Sequence, residues 1–243
     1  LDLGEDAASL AEALAMDPPG ESGDAHWNEE AKALLAGLIL FAAVHEDEDR
    51  RTLASVREYL TLPPERFRAL LGLMQDSPGA GGLIARAANR FLGKSDREAA
   101  GVLSSAQRHT HFLDSPRMSA VLGRSDFTFA DVKARPTTVY LVLPPDRLAT
   151  YARWLRLLVS QAVTDMARST ARPTRPVLFL LDEFAALVNE VPEFVDGVVD
   201  VAQRGQGFVS TIAGSIQPSQ LPSPARGRWL TVHANSQSTW LPC

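Results

Sequence analysis

The chain has 243 residues, a net charge of −5 and 45% hydrophobic residues, which is the composition of a globular protein with a sizeable core. A negative net charge does not mark a general nucleic-acid binder, so any DNA contact has to be local or shared among subunits. The single cysteine, Cys243, excludes an internal disulfide and suits a reducing compartment. The longest apolar run, residues 33–44, is shorter than the roughly 20 residues that span a bilayer. The first residue is leucine, and we expect the sequence to be a piece of a longer protein.

The first half of the chain predicts helices only. Their expected positions are residues 4–16, Trp27 to about Ala42, 52–60, Pro64 past Leu73, 83–92, and Ser95 to about Phe112. Ser95 and Glu98 have the spacing of a capping box, in which each side chain bonds the backbone amide of the other residue. Nothing between residues 24 and 122 has the period of a strand, so this part is predicted to be an all-helical domain.

The pattern changes near Phe127. Residues 137–143 are β-branched and apolar and predict a buried strand. An apolar stripe from Leu148 to Met166 predicts a long helix, with Arg153 and Arg156 off the stripe. Further strands are predicted at 177–182, 208–213 and 230–234, and a further helix at 192–203. Strands and helices that alternate over short links predict an α/β fold with a parallel sheet and crossover helices.

The strand predicted at 177–182 ends in two adjacent carboxylates, Asp182 and Glu183. Open α/β sheets bind ligands beyond the carboxyl ends of their strands. In a nucleotide site there, Asp182 would hold Mg²⁺, usually through water, and Glu183 would polarise the water that attacks the γ-phosphate. Gln217 follows the strand at 208–213, where a polar side chain can sense the γ-phosphate. The alternatives are a solvated acidic pair and an ordinary turn glutamine before Pro218.

Two glycine-containing stretches are poor candidates for a phosphate-binding loop. Residues 93–95 read Gly-Lys-Ser, but position 88 is Ala where the loop has Gly, and a helix rather than a strand precedes them. Ser95 is therefore predicted to be a helix cap. Residues 79–82 contain three glycines but no lysine and lie between predicted helices, so they are predicted to form a turn.

Two histidines of the helical part, His109 and His111, are poor candidates to share a metal ion. His109 and His111 are two residues apart, so on a helix they point in different directions, and no cysteine is near them. Together with Arg108 and Arg117 they form a polar cluster. The sequence leaves open whether this cluster is a contact surface for a partner or an ordinary solvated face.

Several stretches together resemble the type IV secretion coupling proteins, the ATPases that feed DNA into conjugative transfer machinery. Residues 24–35 resemble the opening of that family's helical domain, and residues 94–98 and 103–117 resemble its close. Residues 138–148, with the sequence TVYLVLPPDRL, match the strand where the nucleotide-binding domain resumes. Residues 181–187, with the sequence LDEFAAL, match its Walker B strand. Beyond residue 187 the likeness falls, because a glycine is expected where Val188 stands.

The resemblance implies an α/β fold, with a partial RecA-like parallel sheet and an all-helical domain N-terminal to it. Residues 1–23 would be a linker and short helix from the first half of the nucleotide-binding domain, 24–122 the all-α domain, and 123–243 the Walker B half. The Walker A loop and the membrane anchor of the family are not in the sequence. We therefore expect the piece alone not to hydrolyse ATP.

The resemblance also implies cofactors, partners and location. ATP and Mg²⁺ are the cofactors, with Asp182 at the metal, Glu183 as the catalytic acid and Gln217 in a sensor motif. The parent would be a hexamer around single-stranded DNA at the cytoplasmic face of the bacterial inner membrane. Its helical domain would recognise the relaxase or other relaxosome proteins, and its other partners would be secretion components. Arg204 is a candidate for the arginine that reaches a neighbour's γ-phosphate.

Three alternatives remain open from the sequence. Residues 205–207 and 217–219 also resemble the septal DNA translocases, hexameric pumps that act in chromosome partition. A second alternative is a piece that only binds substrate, without catalysis. It is also compatible with a degenerate product that has no activity.

Overall fold

The computed structural model describes residues 2–15, 25–169, 177–181, 209–214 and 232–233. The chain divides into two compact units, residues 1–126 and 127–243. All regular structure that is described in the first unit is helical. Among the described helices of both units, none combines the length and the hydropathy needed to cross a membrane.

Seven α-helices form the described part of the first unit. They are α1 (Leu3–Leu14), α2 (Ala25–His45), α3 (Leu53–Leu60), α4 (Pro64–Gln75), α5 (Leu83–Leu92), α6 (Asp96–Thr110) and α7 (Pro116–Leu122). Helix α2 packs against α1, α3, α5 and α6 and is the centre of the unit. Its side chains Leu34, Leu35 and Leu38 are buried completely or nearly so. The helices predicted in this part of the chain are present.

Side chains cap several helices where the sequence predicts a start. Asp2 Oδ1 accepts from the amide of Gly4 at 2.9 Å, and Thr52 Oγ1 accepts from Ser55 at 3.3 Å. Ser95 Oγ accepts from the amide of Glu98 at 3.3 Å, which confirms Ser95 as a cap. The second bond of the predicted capping box, from the Ser95 amide to the Glu98 side chain, is not formed. The Glu98 carboxylate accepts from Lys94 Nζ at 2.9 Å instead.

Two glycines allow helices of the first unit to approach closely. A Cβ atom at Gly37 of α2 would overlap the Cβ atom of Ala87 on α5. A Cβ atom at Gly101 of α6 would lie 2.9 Å from two ring atoms of Trp27 on α2. Both distances are shorter than van der Waals contact, so α2 packs against α5 and α6 only because these positions have no side chain.

The second unit contains two described α-helices and three short described strands. They are α8 (Phe129–Ala134), α9 (Leu148–Arg168), β1 (Val177–Leu181), β2 (Val209–Gly214) and β3 (Val232–His233). The strand order is β1-β2-β3, and both described pairs are parallel. The register of the first pair runs from Val177 opposite Val209 to Leu181 opposite Ala213.

The strand predicted at 137–143 is not formed. These residues have no regular secondary structure, and the side chains of Tyr140 and Val142 are 82% and 81% exposed. A β-branched sequence favours a strand only where a neighbouring strand and a covered face are available. No described strand pairs with this segment, so the prediction of a buried strand is wrong.

The predicted α/β class with a partial RecA-like sheet is corrected as well. Helices dominate the residues that the structure describes, and residues 25–169 contain no strand. The described strands have only five, six and two residues. The individual strands predicted at 177–182 and 208–213 are nevertheless present and parallel. The described part of the protein is therefore mainly helical, with a small group of parallel strands.

Candidate functional site

The carboxyl ends of β1 and β2 lie at the same edge, because the two strands are parallel. Leu181, the last residue of β1, is opposite Ala213, and β2 ends one residue later at Gly214. The predicted site residues follow these ends in the sequence but lie outside the described residues. Asp182 and Glu183 come directly after β1, and Gln217 comes three positions after Gly214. Their roles, and that of Arg204, stay predictions.

Helix α9 precedes β1 in the chain and is confirmed as a long helix. Its predicted stripe is buried at Leu155, Val159, Ala162 and Met166, which are 2–8% exposed. The prediction that Arg156 lies off the buried face is wrong, because this residue is only 4% exposed. The buried arc of α9 is wider than the stripe, since Trp154 and Leu157 are also buried. A stripe defined by apolar residues alone misses an arginine on that wider arc.

Lys133 on α8 binds the carboxyl end of α9. Lys133 is 6% exposed. Its Nζ donates hydrogen bonds to the carbonyl oxygen of Met166 and to that of Ser169, the latter at 2.9 Å. Carbonyl groups at the end of a helix lack partners within the helix and carry a partial negative charge, which favours a cation. Burial nevertheless lowers the pKa of Lys133, because it penalises the charged ammonium.

No sequence pattern indicates a role for Lys133. A single lysine in a six-residue helix has no pattern that separates a buried cap from an exposed charge. The nearest usable signal is the preceding capping box, in which Asp131 accepts from the amide of Thr128 at 2.9 Å and so fixes the start of α8.

A buried polar network links α2 to α6 in the first unit. Oδ1 of Asn28 accepts hydrogen bonds from Ser105 Oγ at 2.8 Å, Arg108 Nη2 at 3.1 Å and His109 Nε2 at 2.9 Å. A carbonyl oxygen only accepts, so Nε2 of His109 carries a hydrogen. His109 is fully buried, whereas His111 is exposed and lies 3.8 Å from Asp114.

The predicted polar cluster of Arg108, His109, His111 and Arg117 is therefore not a single surface. His109 belongs to the core, and its hydrogen bond to Asn28 connects two helices. Within the part of the chain that the structure describes, no three His, Cys, Asp or Glu side chains gather closely enough to hold a metal ion.

Arg57 of α3 holds the end of α6. Its Nε and Nη2 donate to the two carboxylate oxygens of Asp114 at 2.7 and 2.6 Å, and its Nη1 donates to the carbonyl of Gln107 at 2.8 Å. The hydrogen bonds from Arg57 lower the pKa of Asp114. In return, Gln107 Nε2 donates to the carbonyl of Leu60 at 2.6 Å. The bonds in both directions fix α3 to α6.

An ionic network ties α2 to α5 and to the start of α6. The carboxylate oxygens of Glu30 lie 2.7 Å from Arg90 Nη2 and 2.8 Å from Lys94 Nζ. Lys94 Nζ also lies 2.9 Å from Glu98 Oε1. The hydrogen bond from Arg90, helped by Lys94, lowers the pKa of Glu30 to about 2 against the opposing effect of burial. The charges satisfy one another, so this network stabilises the packing and has no unpaired group for catalysis.

Comparison with known proteins decides the family. Residues 2–202, more than half of the chain, match the profile of the family described as type IV secretory system conjugative DNA transfer. The chain belongs to this family. The resemblance to coupling proteins that the sequence predicts is thereby confirmed.

Two curated relatives illustrate the match. The conjugal transfer protein TraG of Escherichia coli is 28% identical over 221 residues, which cover 84% of this chain and 33% of TraG. The type IV secretion system-coupling protein VirD4 of Bartonella quintana (strain Toulouse) is 25% identical over 174 residues, which cover 70% of this chain and 27% of VirD4. The chain thus spans about a third or less of the length of these relatives.

The plasmid coupling protein TrwB shares the fold. Its complex with the ATP analogue ADPNP has a TM-score of 0.65 and 17% identity, covering 89% of this chain and 48% of TrwB. Its complex with ADP and Mg²⁺ has a TM-score of 0.64 and 16% identity over the same shares of the two chains. At this identity the likeness is evidence of a common fold only.

Proposed function

We propose that this chain is part of a coupling-protein ATPase that delivers DNA, or a protein–DNA substrate, to a type IV secretion channel. Within the family, the observation that carries the proposal is the parallel register of β1 and β2, with Leu181 opposite Ala213. The chain continues from those neighbouring ends into Asp182-Glu183 and toward Gln217. Ligands of parallel strands bind at such ends.

The roles proposed for the three residues follow from the chemistry of phosphoryl transfer. Glu183 accepts a proton from the attacking water. The oxygen of that water bonds to the γ-phosphorus, and the bond between the γ-phosphorus and the ADP oxygen breaks. Asp182 holds the water ligands of Mg²⁺, which, when bound, neutralises charge on the phosphates. Gln217 hydrogen-bonds the γ-phosphate or the attacking water. TrwB in complex with ADPNP and with ADP and Mg²⁺ supports the choice of cofactors.

The remaining parts of the proposal concern the whole protein. The 243 residues contain no Gly-x-x-x-x-Gly-Lys-Ser/Thr pattern, so the groups that hold the β- and γ-phosphates would come from outside this sequence. We place the protein in a hexamer around single-stranded DNA at the cytoplasmic face of the bacterial inner membrane. Arg204 is the proposed arginine that reaches a neighbouring subunit's nucleotide. Relatives described as conjugal transfer and coupling proteins support the assignment to conjugation.

Residues 24–122 are proposed to be the module that recognises the relaxase or other relaxosome proteins. The contacts of Arg57 and Asn28 make its helices a rigid support. Arg66 and Arg68 on α4 are exposed and make no ion pair with any described residue, so they are available to a partner. An exposed positive charge on a rigid helix suits electrostatic recognition of an oppositely charged partner surface.

Plasmid transfer tests the proposed function. A donor strain that encodes this protein would carry either the natural gene or the Glu183→Gln variant in place of it. Loss of a general base lowers turnover by about a hundredfold or more, and we expect transfer to fall accordingly. Glu190→Gln makes the same charge change seven residues later and should leave transfer intact. Normal transfer by the Glu183→Gln donor would contradict the proposal.

Capture of a purified relaxase by the complete protein tests the helical module separately. The double variant Arg66→Glu/Arg68→Glu should bind the relaxase at least about tenfold more weakly, because opposite charge replaces an electrostatic attraction. Its ATP hydrolysis should stay unchanged, which distinguishes failure of this role from failure of the ATPase assignment. Arg124→Glu, at an exposed residue that pairs with Asp126, is the matched control. Equal binding by the double variant and the control would rule out this surface.

A further inference from the structure

We draw no further inference here: the strongest candidate, the apolar segment 137–143 with its exposed Tyr140 and Val142 side chains, carries nothing because no described part of the chain shows what covers it.

Discussion

The two units differ in where their stabilising contacts come from. In the first unit, Arg57 reaches Asp114 across 57 residues of sequence, and Asn28 reaches His109 across 81. In the described part of the second unit, Lys133 fixes the end of α9, while the segment around Tyr140 has no regular secondary structure and exposes the Tyr140 and Val142 side chains. The helical unit therefore joins its helices through side-chain bonds between distant parts of the sequence. Segment 137–143, in contrast, has a strand-forming sequence and no strand partner among the described residues.

This difference separates two kinds of sequence pattern. A helix satisfies its backbone within one segment, so caps and a 3.6-residue period predict it without knowledge of the neighbours. A strand satisfies its backbone only through another segment, so its pattern does not suffice. The variants below test how far each unit depends on its own contacts.

The largest expected loss of stability follows removal of the Arg57 contacts. Arg57→Met keeps the aliphatic stem and breaks the bidentate bond to Asp114 and the bond to the carbonyl of Gln107. We expect the free energy of unfolding to fall by about 3 kcal/mol, because these are hydrogen bonds of a charged and largely buried group. Urea unfolding followed by circular dichroism measures it. Arg117→Met, at an exposed arginine of α7, should change it by less than about 0.5 kcal/mol.

A smaller loss is expected where α2 packs against α5. Gly37→Ala places a methyl group on the Cβ atom of Ala87, so the helices must separate. We expect a loss of about 2 kcal/mol from overpacking, although alanine is the better helix former. Gly72→Ala is the control, because its Cβ atom meets nothing within 4 Å, and it should stabilise the protein by up to about 1 kcal/mol. Shifts of the same sign in both variants would contradict the packing described for Gly37.

In the second unit, Lys133→Met should loosen the end of α9. Loss of a cation bonded to carbonyls at a helix end costs about 1.5 kcal/mol, which corresponds to about tenfold faster exchange of the amides in the last turn. Hydrogen exchange should detect this up to Ser169 and leave α2 unchanged. Arg135→Met removes a neighbouring exposed charge that lies 3.7 Å from Asp131, and it should have no such effect. Unaltered protection of α9 in Lys133→Met would show that the cap is dispensable.

The smallest effect concerns acid stability of the first unit. Because the pKa of Glu30 falls from 4.5 to about 2 on folding, its contribution is complete above about pH 4.5 and is lost as the pH falls toward 2. Arg90 is half exposed, and screening reduces the contribution to roughly 1 kcal/mol. Unfolding measured between these pH values should show a flatter profile for Glu30→Gln than for the natural protein. Glu48→Gln, at an exposed acid, should keep the natural profile.

The sequence predicts the helical unit well because its signals are local. Residues 83–92 are helical as predicted, and Ser95 caps α6. The exceptions need tertiary contacts. Leu73 is an apolar residue of the helix predicted from Pro64, yet its side chain is 63% exposed. Neither the partner of Arg57 nor the burial of Lys133 has a sequence signature. These contacts join residues far apart in the chain, so no local pattern encodes them.

The candidate site could be predicted only as far as its strands. The apolar run before Asp182 predicts β1, and the run at 208–213 predicts β2, and both are present and parallel. Residues 137–143 have an equally strong strand pattern, yet they lack a strand partner among the described residues. Composition cannot distinguish these cases, since they differ in whether a neighbouring strand is available for pairing.

The rate of ATP hydrolysis by the complete protein is the decisive measurement for the proposed site. The claim is that the acidic residues after β1 activate water at a bound nucleotide. We expect Glu183→Gln to lower kcat by about a hundredfold or more while Mg²⁺-dependent binding of a fluorescent ATP analogue is kept. Glu190→Gln should retain the natural kcat. Hydrolysis at the natural rate by Glu183→Gln would show that Glu183 does not activate the attacking water.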